Sequence, residues 1–586
     1  MAEYRAPTRD MLFMLNEVLD SQRIRSLPGY EDYDPDTASA ILDEAARFAG
    51  EVLSPLNTTG DAEGVHWSAE GVTPAKGFGA AYKQYVEGGW NGLTGAPEHG
   101  GMGMPRVLGA AATEMWNAAN MSFALCPLLT ASAVESLSQH GSEALKSAYL
   151  DKLITGEWPG CMDLTEPQAG SDLGQVRSRA QPDEEADGDA YRLFGQKIYI
   201  TWGDHDMADN IIHFALARLP DAPAGVKGIS LFLVPKFVLD PDGNPGERND
   251  MRCVSVEHKL GIHACPTCTM AFGEDGQGAL GYLVGEENKG LAHMFTMMNA
   301  ARHAIGVQGL GIADRAYQDA LAYAREREQG GRAIVDHPDV KRMLLTMRSQ
   351  TDALRGLCLD AAAALDIAER SDDADERAAA HTRAEVLIPV VKAWGTEIGV
   401  DHANTGIQIH GGMGFIEETG AAQYLRDARI APIYEGTNGI QAIDLVGRKL
   451  IRDEGRGMRA LIADIRATAD GSAEGANAHP ALADALDRLE QATDTLLEAG
   501  RGAAMANAFN YLMLCATVLG GWYAARSADV AKAALDAGTD ETDFYEARQA
   551  CARFYIRQLL PKARGYAEMV AGGPDVVDAI DSARHL

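Results

Sequence analysis

Apolar residues recur three and four positions apart from the start of the chain to about residue 155, as in DTASAILDEAARFAGEVLSPL, and this spacing predicts helices with one buried face. From about 160 to 280 the period shortens. Runs rich in β-branched and aromatic residues, YRLFGQKIYIT, NIIHFALARL, GISLFLVPKF and MRCVSVEHKL, alternate with acidic or Gly/Pro turns and predict strands. Helical spacing then returns to about 452, and a polar stretch at 467–480, ATADGSAEGANAHP, reads as a linker to another helical unit. The pattern predicts a mostly α protein with a central β domain. Its segments are a helical arm (1–35), a helical domain (36–157), a β domain (158–280), a second helical domain (281–452) and a C-terminal helical extension (453–586).

Two stretches invite other readings. Residues 502–525 carry no charge and are long enough to cross a bilayer, which takes ~20 residues. Asn507, Asn510 and several small residues, which need packing partners, favour a helix buried in a bundle, with no membrane span. GAPEHGGMGMP at 95–105 is glycine-rich, but it follows no strand and matches no phosphate-loop spacing, so it reads as a turn between helices. The acidic run QPDEEADGDA reads as a solvated loop.

Composition narrows the function. With 586 residues, 46% hydrophobic and 23% charged, the chain is globular and too long for one core. A net charge of -32 argues against nucleic-acid binding, which needs clustered Lys and Arg. Of the eight cysteines only Cys265 and Cys268 lie close together, and without a second pair they read as core residues, with no metal site. The start, MAEYRAPTRD, has no apolar signal core, so a cytoplasmic protein is expected.

Three separated segments carry chemistry: MDLTEPQAGSDLG (162–174), GQKIYITWG (195–203), and QIHGGMGF with YLRDARIAPIYEGT (408–437). Together, and in this domain order, they resemble the acyl-CoA dehydrogenase family, flavoenzymes that oxidise the α,β bond of a thioester. The resemblance covers roughly residues 36–450. It implies a helical, β-barrel-like and helical core, bound FAD, an acyl-CoA substrate, electron-transfer flavoprotein as acceptor, and a homo-oligomer, dimer or tetramer. The arm and the extension resemble the longer bacterial branch of the family. That branch implies a short acyl chain such as 3-methylthiopropanoyl.

Residue by residue, the resemblance implies that Met162, Leu164, Thr165, Gly170 and Ser171 lie on one flavin-contacting loop, and Tyr199, Ile200 and Thr201 on another. Short hydroxyls and an aromatic wall suit an isoalloxazine ring. Ser171 also matches a residue touching CoA. Members of the family commonly have tryptophan at the position of Tyr199, phenylalanine at that of Gly330 and glutamine at that of Gly439. Arg302 and Arg327, read on one long helix, are 25 residues apart, about 37 Å at 1.5 Å per residue, so they serve different places. The resemblance sets Arg302, with Asn299, at the local substrate site. It sets Arg327, Gln408, Gly411 and Gly412 against an FAD held mainly by a neighbouring subunit, and Thr437 against the flavin cofactor.

Glu435 matches the family's base. The alternative position used by some branches, beside Arg302, is here Ala301, which cannot take a proton. Abstraction of an α-proton needs a carboxylate whose pKa burial raises, and the developing enolate needs hydrogen-bond donors. The resemblance makes the backbone N–H of Glu435 one donor and has Gly436 leave room for the substrate. Two alternatives stay open: an acyl-CoA oxidase using oxygen, and a flavin-containing DNA-binding protein of the same fold. The 14 basic against 20 acidic residues in 451–586 disfavour the second.

Overall fold

The β-branched runs of the middle segment pair as strands, because such side chains pack well on a pleated surface. A computed structural model describes residues 3–183, 190–473, 475, 477–573, 577, 579–580 and 582–585. The middle of the acidic run, 184–189, lies outside them. Contacts divide the chain into a sheet unit, Phe48–Met104 with Ala119–Ala301, and a helical unit, Met1–Arg47, Pro105–Ala118 and Arg302–Leu586.

In the sheet unit a hairpin, β1 (His66–Ser68) and β2 (Gly71–Thr73), interrupts a stretch whose period reads as helical. Three residues per strand are too few for a period of two to stand out. The larger strands are β3 (Gly160–Asp163), β4 (Arg179–Pro182), β5 (Ala190–Thr201), β6 (Ile212–Ala217) and β7 (Ser230–Pro235). A small hairpin of β8 (Phe237–Leu239) and β9 (Pro245–Arg248) precedes β10 (Met251–Val256), β11 (Thr267–Phe272) and β12 (Ala279–Leu283). The sheet runs β10-β11-β5-β12-β7-β6-β3, with β4 also on β5. Every pairing is antiparallel except β3 with β6. Strands β6, β7 and β11 are buried at every position, which is why β6 and β7 read as continuous apolar runs rather than alternating ones. Tyr191, Leu193, Phe232, Val234, Met270 and Phe272 form the core.

The helical unit is built on long helices, Pro338–Arg370, Ala374–His410 and Ala508–Asp536. The first two are joined by a three-residue turn in which the Asp373 carboxylate caps the second, accepting from the N–H groups of Asp375 and Glu376. The uncharged stretch at 502–525 resolves into Arg501–Ala506 and the first part of Ala508–Asp536, mostly buried in the bundle. Tyr523 packs so close to Gly356 that an added Cβ there would lie 2.9 Å from its ring. Buried ion pairs join arm, core and extension: Arg348 with Asp10 at 2.7 Å, Arg548 with Asp352 at 2.9 Å and Arg355 with Glu114 at 2.6 Å. Among the described residues one helix, Met121–His140 in the sheet unit, is long and apolar enough to cross a membrane, and 78% of its apolar window is buried. All eight cysteines are buried and none is in a disulfide, Cys265 and Cys268 included.

The helix carrying Arg302 runs Gly290–Glu326 and passes from the sheet unit to the helical unit at Arg302. It stops one residue before Arg327, so that arginine stands in the connection to a two-residue hairpin and not on the helix. The hairpin turns at Gly330 and Gly331, both at positive φ (62° and 79°), as a tight primed turn requires. Gly330 therefore serves the turn.

Candidate active site

Glu435 and Gly436 are consecutive residues in the left-handed region, at φ 53° and 86°. For glutamate this conformation costs ~1–2 kcal/mol, so the surroundings have to hold it. Downstream, Thr437 caps the helix Asn438–Asp444 by accepting from the Ile440 N–H at 3.2 Å. Beneath the turn, the Lys392 ammonium, fully buried on the helix Ala374–His410, donates to the Gly436 carbonyl at 2.8 Å and to Asn438 Oδ1 at 3.0 Å. Arg302 Nε and Gln441 Nε2 each lie 3.4 Å from the Glu435 carbonyl. Tyr434 donates to Gln308. Four side chains from three helices thus fix one strained turn.

Burial pushes the Glu435 carboxyl up from the usual carboxylate range, while Arg302 and Lys392 pull it down. Arg302 is 4% exposed, pairs with Asp444 at 3.5 Å, and has its own pKa lowered by burial. Burial brings the Lys392 ammonium down to about 7 against the charge of Glu435. No described residue forms an ion pair with the Glu435 carboxylate, and none accepts from its backbone N–H. The arrangement therefore offers a half-buried base, an uncommitted N–H donor beside it and two cations acting through space. Of the expected residues it brings together Glu435, Gly436, Thr437 and Arg302. Asn299 is exposed, one turn before Arg302 on the same helix.

In the sheet unit the first two motif segments meet. The Ile198 N–H donates to the Thr165 carbonyl at 2.9 Å. Lys197 Nζ donates to the Leu164 carbonyl at 3.1 Å and pairs with Glu166 at 2.8 Å, both side chains buried. The Glu166 carboxylate also accepts from the N–H groups of Arg177 (2.7 Å) and Ser178 (3.0 Å). The pairing sets Leu164 and Thr165 beside Lys197 and Ile198, which lead into Tyr199–Thr201; Met162 is buried on β3 opposite Phe214 of β6, and Gly170 and Ser171 follow on the exposed part of the loop. Tyr199 sits at a β-bulge between β5 and β11 with φ 63° and its side chain 60% exposed, an aromatic held outward in a strained conformation. Ile200 points the other way, into the core, so only its main chain is open to a ligand.

At the far end of the helical unit, Tyr323 stacks on His410 at 4.3 Å, which brings the turn bearing Arg327 beside Gln408, Gly411 and Gly412. All four are exposed. Arg327 has no side-chain partner among the described residues, and nothing lies within 4 Å of a Cβ added to Gly411 or Gly412. An outward aromatic, the exposed Ser171 with the half-buried Thr165 and Thr201, open glycine backbone and a free guanidinium are groups that suit a flavin adenine dinucleotide.

Sequence reasoning missed Lys392, although a lone charge within VLIPVVKAWG was a usable signal. It also missed the Glu166–Lys197 pair, whose partners both lay in the quoted motifs. A third group, Cys161, Asp163 and His213, is buried and within mutual ligand distance, but the three close contacts converge on one ring nitrogen, His213 Nδ1, and the other nitrogen has no partner among the described residues. That is a hydrogen-bonded core cluster lacking the outer support a metal-bound histidine has.

Four family models cover most of the chain: Acyl-CoA dehydrogenase, N-terminal domain (35–157), middle domain (161–274) and C-terminal domain (288–451), and Acetyl-CoA dehydrogenase C-terminal like (461–581). The 3-methylmercaptopropionyl-CoA dehydrogenase of Ruegeria pomeroyi is 48% identical over 95% of this chain and 96% of its own. Among solved structures, Caenorhabditis elegans ACDH-11 in complex with C11-CoA superposes with TM-score 0.77 at 21% identity, covering 95% of this chain and 92% of its own. An acyl-CoA dehydrogenase complexed with FAD from Bacillus anthracis gives 0.73 at 21% identity, over 97% and 92%.

Proposed function

The chain belongs to the acyl-CoA dehydrogenase family, FAD-dependent oxidoreductases, and we propose that within it this protein oxidises a short acyl-CoA, with Glu435 as the base. The observation that carries the reading is the Glu435 turn: a carboxyl raised by burial, free of ion pairs, beside its own uncommitted N–H. The carboxylate takes the α-proton, and the raised pKa brings it towards that of an acidified thioester. The Glu435 N–H donates to the thioester oxygen as enolate charge develops there, and Arg302 adds positive potential to the same turn. Bound FAD would supply the acceptor for the hydride, hydrogen with its electron pair, that leaves Cβ. Thr165, Ser171, Tyr199 and Thr201 would hold it from the sheet unit, while Arg327, Gln408, Gly411 and Gly412 would serve the FAD of a neighbouring subunit. Electron-transfer flavoprotein receives the electrons.

The short-chain assignment, with 3-methylthiopropanoyl-CoA as the favoured substrate, rests on the 48% identity to the Ruegeria enzyme and the substrate for which that enzyme is named. Anaerobic mixing of the purified protein with a panel of acyl-CoAs tests it. The oxidised-flavin absorbance is expected to bleach faster with butanoyl-CoA and 3-methylthiopropanoyl-CoA than with palmitoyl-CoA, since each unaccommodated methylene shifts discrimination by ~1–3 kcal/mol. Faster bleaching by palmitoyl-CoA overturns the substrate, and no bleaching with any thioester overturns the reaction. Reoxidation by air as fast as by the flavoprotein would favour an oxidase.

A further inference from the structure

We propose that Lys392 is a positioning residue for the Glu435 base: it clamps the left-handed Glu435–Gly436 turn through the Gly436 carbonyl and Asn438, and its charge keeps the neighbouring carboxyl ionised. The proposal rests on Glu435 being the base. A lysine buried to 0% exposure in the middle of an apolar helix has to be held by strong acceptors. One acceptor belongs to the turn and the other opens the helix that follows it: the Gly436 carbonyl at 2.8 Å and Asn438 Oδ1 at 3.0 Å. Asn438 is itself oriented, since its amide nitrogen lies 3.0 Å from Thr396 Oγ1 and 2.8 Å from Glu397 Oε1. The clamp therefore fixes the peptide that follows the base, at the point where the main chain takes its least favourable conformation.

The charge acts separately from the clamp. Lys392 makes no ion pair with Glu435, so the carboxylate oxygens stay free for a proton while the ammonium lowers the cost of their charge. The charged groups around the turn are Arg302 on the helix Gly290–Glu326, Lys392 and Glu397 on the helix Ala374–His410, and Asp444 and Arg448 on the helix that follows the turn and its continuation. Arg302 is partly neutralised by Asp444, and Asp444 is shared with Arg448. Lys392 is thus the cation there with no carboxylate in direct contact. Burial lowers its pKa and Glu435 raises it, so each group supports the charged form of the other.

The test compares Lys392→Met, which removes clamp and charge, with Lys392→Gln, which keeps a donor and removes only the charge, both as FAD-loaded enzyme. Anaerobic flavin reduction by butanoyl-CoA gives the pH profile. Infrared difference spectra against Glu435→Gln give the protonated-carboxyl band of Glu435 without any turnover. In both variants the acid limb and the band titration are expected to move up by ~1 unit or more, as for loss of a nearby opposite charge. Lys392→Met is expected to lose at least ~10-fold in the limiting rate, and Lys392→Gln to recover part of it. If Lys392→Met fails to fold, Lys392→Gln decides alone through the band. A folded Lys392→Gln whose limb and band coincide with the parent overturns the proposal and leaves Glu435 as base untouched. Normal flavin reduction by Glu435→Gln overturns the base assignment, and this proposal with it.

Discussion

Replacing Lys197 by methionine is expected to destabilise the sheet unit and to reverse the sign of its acid response. Glu166 and Lys197 are 4% and 1% exposed and 2.8 Å apart. Burial alone would raise the Glu166 carboxyl; the Lys197 charge and hydrogen bond and the N–H groups of Arg177 and Ser178 bring it to about 2, against an ordinary 4.5. At ~1.4 kcal/mol per unit the carboxyl side of the pair contributes about 3 kcal/mol, and the Lys197 ammonium, its own pKa lowered by burial, offsets part of it. Because the folded value is depressed, that stability is fully present above 4.5 and is lost as pH falls towards 2. Without Lys197, burial dominates and the folded value rises above 4.5. Stability is then greatest at low pH and falls as pH climbs through the raised value. At neutral pH the loss is ~3–5 kcal/mol, as for a buried pair deprived of one partner. For a domain of ~150–250 residues, at ~2–4 °C per kcal/mol, the melting temperature falls by about 6–20 °C. Thermal unfolding across pH, with amide exchange of β5 as the local reporter, measures both effects. A variant melting within ~2 °C of the parent at neutral pH, with the same acid slope, refutes the reasoning.

Glu435→Gln keeps the shape of the side chain but cannot accept a proton, so single-turnover flavin reduction is expected to slow by ~10²–10⁴ with FAD content unchanged; near-normal reduction would return Glu435 to an ordinary turn residue. Tyr199→Gly relieves the positive φ and is expected to leave the melting temperature unchanged or raised, by up to ~1 kcal/mol in stability, while FAD dissociates faster; retention of FAD at the parent's rate through gel filtration counts against Tyr199 as a cofactor wall. Arg327→Ala is expected to weaken FAD retention with helical content intact, because the side chain has no partner within the described chain. A stable monomer holding a full complement of FAD contradicts a site shared between subunits.

Strand β5 could be read directly, since YRLFGQKIYIT is β-branched and aromatic and close to the observed Ala190–Thr201. Strands β3 and β11 could not, because GCMD and TCTMAF are short and owe their burial to neighbours in the sheet rather than to a local period. The end of the helix before Arg327 was visible as Gly330-Gly331, a pair that suits a primed turn better than a helix, whereas helical spacing alone ran on through YARERE. The site divides the same way. Its residue types were legible as motifs, but its geometry comes from distant tethers: Glu166 to Lys197 across 31 residues, and Lys392 to Gly436 across 44. No local propensity places a tyrosine or a glutamate at positive φ, and at both Tyr199 and Glu435 the strain is sustained from outside, by the bulged β5–β11 register and by the Lys392 clamp. Those tethers are themselves buried charges that an apolar core of the same volume would not need. Their presence under two strained residues, and the exposure of Tyr199 and partial exposure of Glu435, are what a fold shows where it gives up local stability to hold side chains towards a ligand.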